Sequence, residues 1–233
     1  MKALNAPYFW YALLGYASGS ILFAYLVPKY LLHTDVTQGT DDQNPGTFHA
    51  FEKTGAAMGL FVLLLELAKG FLPVWAAGRV LDRENLWFAA VLAAPVLGHA
   101  FPFWRIRRGG KAIAVSFGVL LGLWPDLRAL GILVGCYLLF SLVVVIQPHL
   151  HRSIVTYGCL TLLCFFLIPE RSLVLGAAIV SLIVVGKHLM QYHGEKAHVR
   201  LGWAPKKKGG SGGSGSVPGP EPIRQRLTKK KRP

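Results

Sequence analysis

The chain has 233 residues, of which 53% are hydrophobic and 15% charged, and its formal net charge is +14 at pH 7. This apolar content exceeds what one soluble core needs and predicts a membrane protein with several spans. The lysines and arginines concentrate in loops and in the C-terminal tail, which is typical of membrane topology and contact with anionic lipid, and no aromatic and basic surface pattern indicates a nucleic-acid partner.

A series of apolar segments predicts an all-α membrane protein with about seven transmembrane helices, because one crossing needs about 20 apolar residues. The fourth segment is shorter than that and is either a half-span or a re-entrant piece. We expect the first segment to stay as a span, since no charged region and cleavage site precede its end. The segments run over about residues 8–32, 55–78, 86–103, 112–124, 127–146, 154–168 and 173–190.

The first segment contains a small, polar notch at Ser18, Gly19 and Ser20. Small residues let helices approach closely in lipid, so we expect close packing there, with substrate contact as the alternative. A polar loop over residues 33–54 follows. It is too long for a simple connector and is predicted to bind a ligand or to be disordered, although Asn44-Pro-Gly46 indicates a defined turn.

Two opposite charges, Glu66 and Lys69, lie three residues apart inside the second segment and therefore on one helix face. Each charge costs about 2.5–3.5 kcal/mol at the bilayer centre, so the pair must face protein or water. Mutual neutralisation and a functional role are both open interpretations. The three cysteines, by contrast, lie in apolar segments without metal-ligand spacing, so we expect packing roles, no disulfide framework and no metal.

The densest polar stretch is Gly98-His-Ala-Phe-Pro-Phe-Trp-Arg-Ile-Arg-Arg-Gly-Gly-Lys111. Gly109 and Gly110 precede an apolar run, and we expect that a helix begins there with free backbone N–H groups. The helix dipole contributes only about 0.3–1 kcal/mol, so Arg107, Arg108 and Lys111 must supply most of the attraction for an anion. We predict a phosphate site; the alternative is that these cations only orient the adjacent span.

The distribution of lysine and arginine predicts the orientation. The loops after the first, third and fifth spans, together with the C-terminal segment, carry most of these residues, so this side is predicted to be cytoplasmic and the N-terminus to lie outside. We expect two units: a membrane domain over residues 1–203 and a flexible, basic tail rich in Gly, Ser and Pro over residues 204–233. The Gly/Ser run of the tail is typical of a natural or an engineered linker.

Four segments, in order over about residues 15–200, resemble the bacterial membrane glycerol-3-phosphate acyltransferases that take their acyl group from acyl phosphate. The first helix of that family is similar to Gly19-Ser-Ile-Leu-Phe-Ala-Tyr-Leu26, and its first cytoplasmic loop to Asn44-Pro-Gly46 with Phe51 and Gly55. Its Asp-x-x-Lys-Gly motif resembles Glu66-Leu-Ala-Lys69-Gly70. Its most specific motif resembles Gly98-His-Ala-Phe-Pro102, Arg108-Gly-Gly-Lys111 and Ser116-Phe-Gly118.

The resemblance implies an enzyme of the bacterial cytoplasmic membrane that transfers a fatty acyl group from acyl phosphate to glycerol 3-phosphate in phospholipid synthesis. It needs no cofactor, and its active site would face the cytoplasm. The expected catalytic residues are His99 as proton acceptor, Lys69 as charge stabiliser and Glu66, which orients Lys69. The expected substrate-binding residues are Ser20, Asn44, Gly46, His49, Lys53, Arg108, Gly109, Gly110, Lys111 and Glu195. A hydrogen-bonded structural role is the alternative for His99.

The first loop departs most from the family pattern, because Glu52 stands where the family has an arginine. A carboxylate cannot replace a guanidinium that faces a phosphate dianion. The alternatives are therefore a relative with a less anionic acceptor, such as a polyol, a sugar or an amine, or an inactive relative that binds lipid or a protein partner.

Overall fold

The computed structural model describes residues 5–37, 46–190, 192, 194 and 196–203, and of Arg107 only the backbone. Its helices are α1 (Ala6–Gly19), α2 (Phe23–Leu31), α3 (Thr47–Thr54), α4 (Ala56–Val80), α5 (Phe88–Ala100), α6 (Ile113–Leu121), α7 (Arg128–Leu138), α8 (His149–Leu167) and α9 (Arg171–Leu189). A 3-10 turn (Ile106–Arg108) precedes α6, and a π-helical turn (Leu139–Val143) extends α7. Two antiparallel strands, β1 (Val144–Gln147) and β2 (His198–Leu201), complete the described elements.

The chain divides into two units, residues 1–202 and 203–233, and the elements named above belong to the first. The predicted tail, residues 204–233, lies outside the described residues. By length and composition, α4, α8 and α9 can each cross a membrane, and α1 with α2 forms a fourth candidate span that is bent by 41°. The described part is thus a mostly helical membrane protein with three or four candidate spans, and α6 has only nine residues.

The structure differs from the predicted segments in three places. The first span is broken between α1 and α2, the polar loop contains α3, and α8 begins at His149 rather than near residue 154. The prediction of an all-α protein is also wrong in detail, because the predicted fifth helix ends in β1. Its Val143-Val-Val-Ile146 run is β-branched throughout, which favours extended chain, and it finds a partner strand in residues 198–201.

Glycines allow two pairs of helices to touch backbone to backbone. A Cβ at Gly19 of α1 would overlap the carbonyl of Pro95 in α5, and a Cβ at Gly98 would overlap the carbonyl of Tyr16. A Cβ at Gly118 of α6 would likewise overlap the carbonyl of Leu67 in α4. The close approach expected at the notch of the first segment is therefore found at Gly19, and it holds α1 against α5.

A set of charged contacts closes the end of the molecule where α5 begins. The Arg83 guanidinium donates to the carbonyls of Gly78, Leu123 and Trp124, which tie the loop after α4 to the end of α6. Arg128 lies 2.8 Å from an oxygen of Asp126 and 2.7 Å from one of Glu170. The hydrogen bond from Arg128 holds the pKa of the Asp126 carboxyl below its ordinary value.

The close contact between α1 and α5 predicts that one added methyl group at Gly19 destabilises the fold. Gly19→Ala should lower the free energy of unfolding by about 1–3 kcal/mol, because α1 must move away from Pro95 to accommodate the Cβ. Gly131→Ala in α7 is the matched control, since nothing lies within 4 Å of its Cβ position. Thermal unfolding of the purified variants in detergent measures both, and equal stability of the two would contradict this packing.

Candidate functional site

Three of the predicted site residues meet in one buried cluster. Glu66 is 0% exposed, Lys69 3% and His99 5%. An oxygen of Glu66, Oε2, lies 2.6 Å from Lys69 Nζ and 3.1 Å from His99 Nδ1. Lys69 Nζ is also 2.8 Å from His99 Nδ1. The spacing of Glu66 and Lys69 places both on one face of α4, and the last turn of α5 presents His99 to that face.

The break between α1 and α2 supplies the remaining partners of this cluster. The backbone N–H of Ala24 donates to Glu66 Oε1 at 3.0 Å, and Lys69 Nζ donates to the carbonyl of Ile21 at 2.7 Å. Backbone groups that leave a helix inside a membrane need such partners, because no water is available there. The charged pair and the broken helix therefore satisfy one another, which explains why the first span is not continuous.

The two glycines ahead of α6 lie against the end of α5. Gly110 donates its N–H to the carbonyl of His99 at 3.1 Å, and a Cβ on it would overlap Nε2 of the His99 ring. A Cβ on Gly109 would overlap the carbonyl of Ala100. Only glycine fits at either position, because the backbone here occupies the space that a side chain would fill.

The expectation that Gly109 and Gly110 open a helix is wrong. Helix α6 begins at Ile113, after Ala112 in the left-handed conformation with φ of 60°. Because the N–H of Gly110 is used by the His99 carbonyl, it is not free to bind an anion. Lys111, which follows, is half-buried, and Arg108 is exposed on the 3-10 turn.

The other predicted substrate-binding residues lie in different surroundings. The Ser20 hydroxyl donates to the carbonyl of Tyr16 at 2.8 Å and thus caps the end of α1. His49 and Lys53 are on α3, where His49 Nδ1 lies 3.5 Å from Glu52 Oε2, and Gly46 precedes that helix. Asn44 and Glu195 lie outside the described residues.

The structure adds one cation to which the sequence analysis gave no role. Lys187 of α9 is only 1% exposed, and its Nζ lies 4.9 Å from the centre of the Phe101 ring. It acts electrostatically on His99, and no carboxylate of the described residues lies within ion-pair distance of it. A lysine inside an apolar segment was the available signal, since charges within spans are rare and face functional cavities.

We expect that replacing one carboxylate oxygen of Glu66 with an amide nitrogen strongly destabilises the protein. Glu66→Gln should lower the free energy of unfolding by about 3–5 kcal/mol, because it leaves Lys69 buried without its carboxylate. Glu84→Gln, in the exposed loop after α4, is the control and should unfold like the wild type. Thermal or denaturant unfolding in detergent decides, and wild-type stability of Glu66→Gln would show that the pair does not hold α4 in place.

Comparison with known sequences identifies relatives over most of the chain. The family model described as glycerol-3-phosphate acyltransferase matches residues 9–194. A glycerol-3-phosphate acyltransferase of Hydrogenobaculum sp. (strain Y04AAS1) is 31% identical over 75% of this chain and 86% of the relative. The glycerol-3-phosphate acyltransferase of Endomicrobium trichonymphae is 32% identical over 76% of this chain and 86% of the relative. The one of Myxococcus xanthus (strain DK1622) is 42% identical over 49% of this chain and 59% of the relative's length.

Two solved structures have a similar fold. Both are of PlsY (YgiH), an integral membrane glycerol 3-phosphate acyltransferase, in its glycerol 3-phosphate form and its lysophosphatidic acid form. The first has a TM-score of 0.67 at 21% identity and covers 78% of this chain and 88% of that chain. The second has a TM-score of 0.64 at 22% identity and covers 78% of this chain and 87% of that chain. Fold and sequence agree, and the chain belongs to the glycerol-3-phosphate acyltransferase family.

Proposed function

We propose that this protein is an integral membrane acyltransferase that transfers a fatty acyl group from acyl phosphate to the hydroxyl of glycerol 3-phosphate. The observation that carries the proposal is the buried cluster of Glu66, Lys69 and His99 beside the glycine pair, in a chain of this family. Lysophosphatidic acid would be the product, and the enzyme would act in phospholipid synthesis. Glu52, which suggested a less anionic acceptor, is exposed to solvent on α3 and lies beside His49.

The reaction needs few chemical groups from the protein. The acceptor hydroxyl oxygen attacks the acyl carbonyl carbon, the bond from that carbon to the bridging phosphate oxygen breaks, and phosphate leaves. The hydroxyl proton passes to a base. Because acyl phosphate is already an activated anhydride, positioning of the two substrates and stabilisation of negative charge supply most of the rate, and no cofactor or covalent enzyme intermediate takes part.

We assign the base to His99. Its Nδ1 faces Glu66 Oε2, while its Nε2 faces the backbone of Gly110. With the proton on Nδ1, the Nε2 lone pair is directed toward the stretch that leads to Lys111, where the hydroxyl proton can be accepted. Glu66 then stabilises the charged ring, and Lys69 keeps the Glu66 carboxylate ionised inside the protein.

The leaving phosphate is assigned to cationic side chains rather than to backbone N–H groups. Lys111 follows directly after Gly110, Arg108 lies on the 3-10 turn that precedes the glycines, and Lys187 of α9 lies over the Phe101 ring and acts electrostatically on His99. Since the N–H of Gly110 already has an acceptor, the charge of the phosphate must be met by these side chains. The glycines contribute space beside His99.

The activity is tested with the purified protein in lipid nanodiscs. Palmitoyl phosphate and glycerol 3-phosphate should give inorganic phosphate and lysophosphatidic acid in equal amounts, and phosphate release should depend on the acceptor. Lys111→Ala should lower kcat/KM at least about 100-fold, because it removes a cation from the charge that develops on phosphate. Lys29→Ala, an exposed cation on α2, is the matched control and should retain activity. Acceptor-independent turnover, or a normal rate for Lys111→Ala, would refute the assignment.

We further propose that the site faces the cytoplasm and that the membrane is the bacterial cytoplasmic membrane. Helices α1 with α2, α4, α5, α7, α8 and α9, together with the nine-residue half-span α6, would make about seven transmembrane segments, with the N-terminus outside and the C-terminus inside. The support comes from charge. Lysines and arginines crowd the end of the molecule that holds the site, while at the other end Arg128 lies beside Asp126 and Glu170 and Arg83 donates to backbone carbonyls.

Cysteine accessibility tests the orientation, after Cys159 has been replaced. Glu84→Cys lies at one end and Glu52→Cys at the other, and both positions are exposed. We use a maleimide that passes the outer membrane but not the inner membrane. In intact cells this reagent should label Glu84→Cys. It should label Glu52→Cys only after the inner membrane has been permeabilised. The reverse pattern would invert the proposed topology.

A further inference from the structure

A cavity of about 510 Å³ lies where β1, the start of α8 and the segment leading into β2 meet. Gln147 pairs with His198 across the small sheet, and this pairing brings the segment around Lys196 beside α8. We call this cavity the basic pocket. Its lining residues are Gln147, Pro148, His149, Arg152, Lys196 and His198, and none of them carries a carboxylate.

The basic pocket holds more positive charge than its described surroundings neutralise. No carboxylate of the described residues lies within ion-pair distance of Arg152 or Lys196. The Arg152 guanidinium contacts His149 and lies over the Tyr137 ring at 5.3 Å, and its Nε is buried without an acceptor among the described residues. Cations held this close repel one another, and an unsatisfied buried donor costs free energy, so an anion would remove both costs.

The pocket lies next to the proposed site. Lys111 acts electrostatically on His149, and Lys111 is joined through Gly110 to the His99 ring. On the other side, the Phe48 ring of α3 lies 6.4 Å from the His149 ring. Helix α3 carries Glu52 beside His49, so it does not supply the arginine that the family pattern places there. The basic pocket supplies Arg152 and Lys196 as cations for a second anion near Lys111.

We propose that the basic pocket binds the phosphate group of the acceptor, a phosphate monoester. Arg152 and Lys196 supply two fixed charges for the dianion, His149 and His198 supply ring N–H donors, and the hydroxyl end of the acceptor extends toward Lys111. The proposal rests on the proposed function, because it names the residues that would hold its acceptor. It also accounts for Glu52: the arginine that the family pattern places on α3 is replaced by Arg152 of α8 and Lys196 of the segment before β2.

Kinetics separate acceptor binding from the other steps. Lys196→Gln and Arg152→Gln should each raise KM for glycerol 3-phosphate about tenfold or more, because each removes a charged hydrogen bond to phosphate. KM for palmitoyl phosphate and kcat should change less than about twofold. Arg200→Gln is the matched control, since it lies on β2 outside the pocket lining and should behave as the wild type. Equal rises in both KM values, or no rise in either, would overturn the proposal.

Calorimetry tests the pocket without turnover. Glycerol 3-phosphate and inorganic phosphate, titrated in nanodiscs of phosphatidylcholine, should bind competitively to the wild type and about tenfold more weakly to Lys196→Gln. If binding is unchanged in Lys196→Gln, the pocket assignment is wrong even if the enzyme is active. If Arg152→Gln does not fold because it has lost its contact with Tyr137, Lys196→Gln, at an exposed position, still decides.

The lipid composition of the nanodiscs distinguishes a soluble phosphate monoester from a lipid headgroup as the occupant of the basic pocket. If soluble phosphate monoesters bind only weakly, and phosphatidic acid added to the nanodiscs binds in a way that Lys196→Gln abolishes, the occupant is a lipid headgroup and the acceptor assignment is overturned. If the wild type binds glycerol 3-phosphate in the pocket but transfers no acyl group, the proposed function fails while the pocket stands. The two failures therefore give different results.

Discussion

A carboxylate with no exposure to solvent, Glu66, connects the helices that form the site. One of its oxygens accepts the backbone N–H of Ala24, and the other lies beside Lys69 and His99. A charge in such a place is tolerated only when each of its oxygens has a partner, because the unpaired ion would cost several kcal/mol. Glu66 therefore ties α2, α4 and α5 to one another. The break in the first span follows from this, since it releases the backbone groups that Glu66 and Lys69 require.

Contacts at glycines determine how closely the helices around that cluster can pack. In lipid the association of helices depends on packing and on hydrogen bonds, so a missing Cβ gives a direct gain in contact. Gly19 and Gly98 bring α1 onto α5, and Gly118 brings α6 onto α4. Gly110 likewise allows a close contact at the proposed base. Because it has no side chain, its backbone lies directly against the His99 ring. The geometry of the proposed base thus depends on the same contacts that hold the helices together.

Charge is arranged differently at the two ends of the molecule. At the end formed by the loop after α4, arginines either satisfy carbonyl groups or lie beside Asp126 and Glu170. At the other end Lys111, Lys187 and the cations of the basic pocket outnumber the described carboxylates around them. The first arrangement stabilises turns. The second attracts anions, which suits an enzyme whose two proposed substrates both carry phosphate and whose leaving group is phosphate.

The sequence by itself determined the class of protein and the family, and it singled out Glu66, Lys69 and His99 as candidate site residues, because apolar content, the spacing of Glu66 and Lys69, and the stretch around His99 are local properties of the chain. Only the tertiary structure decided how these parts meet. Hydropathy cannot show that a span breaks when a distant carboxylate takes its backbone N–H. Nor can it show that Gly110 lies against the His99 ring instead of opening α6. The basic pocket depends on pairing between residues 144–147 and 198–201, across two helices, and such a contact leaves no periodic signal in either segment.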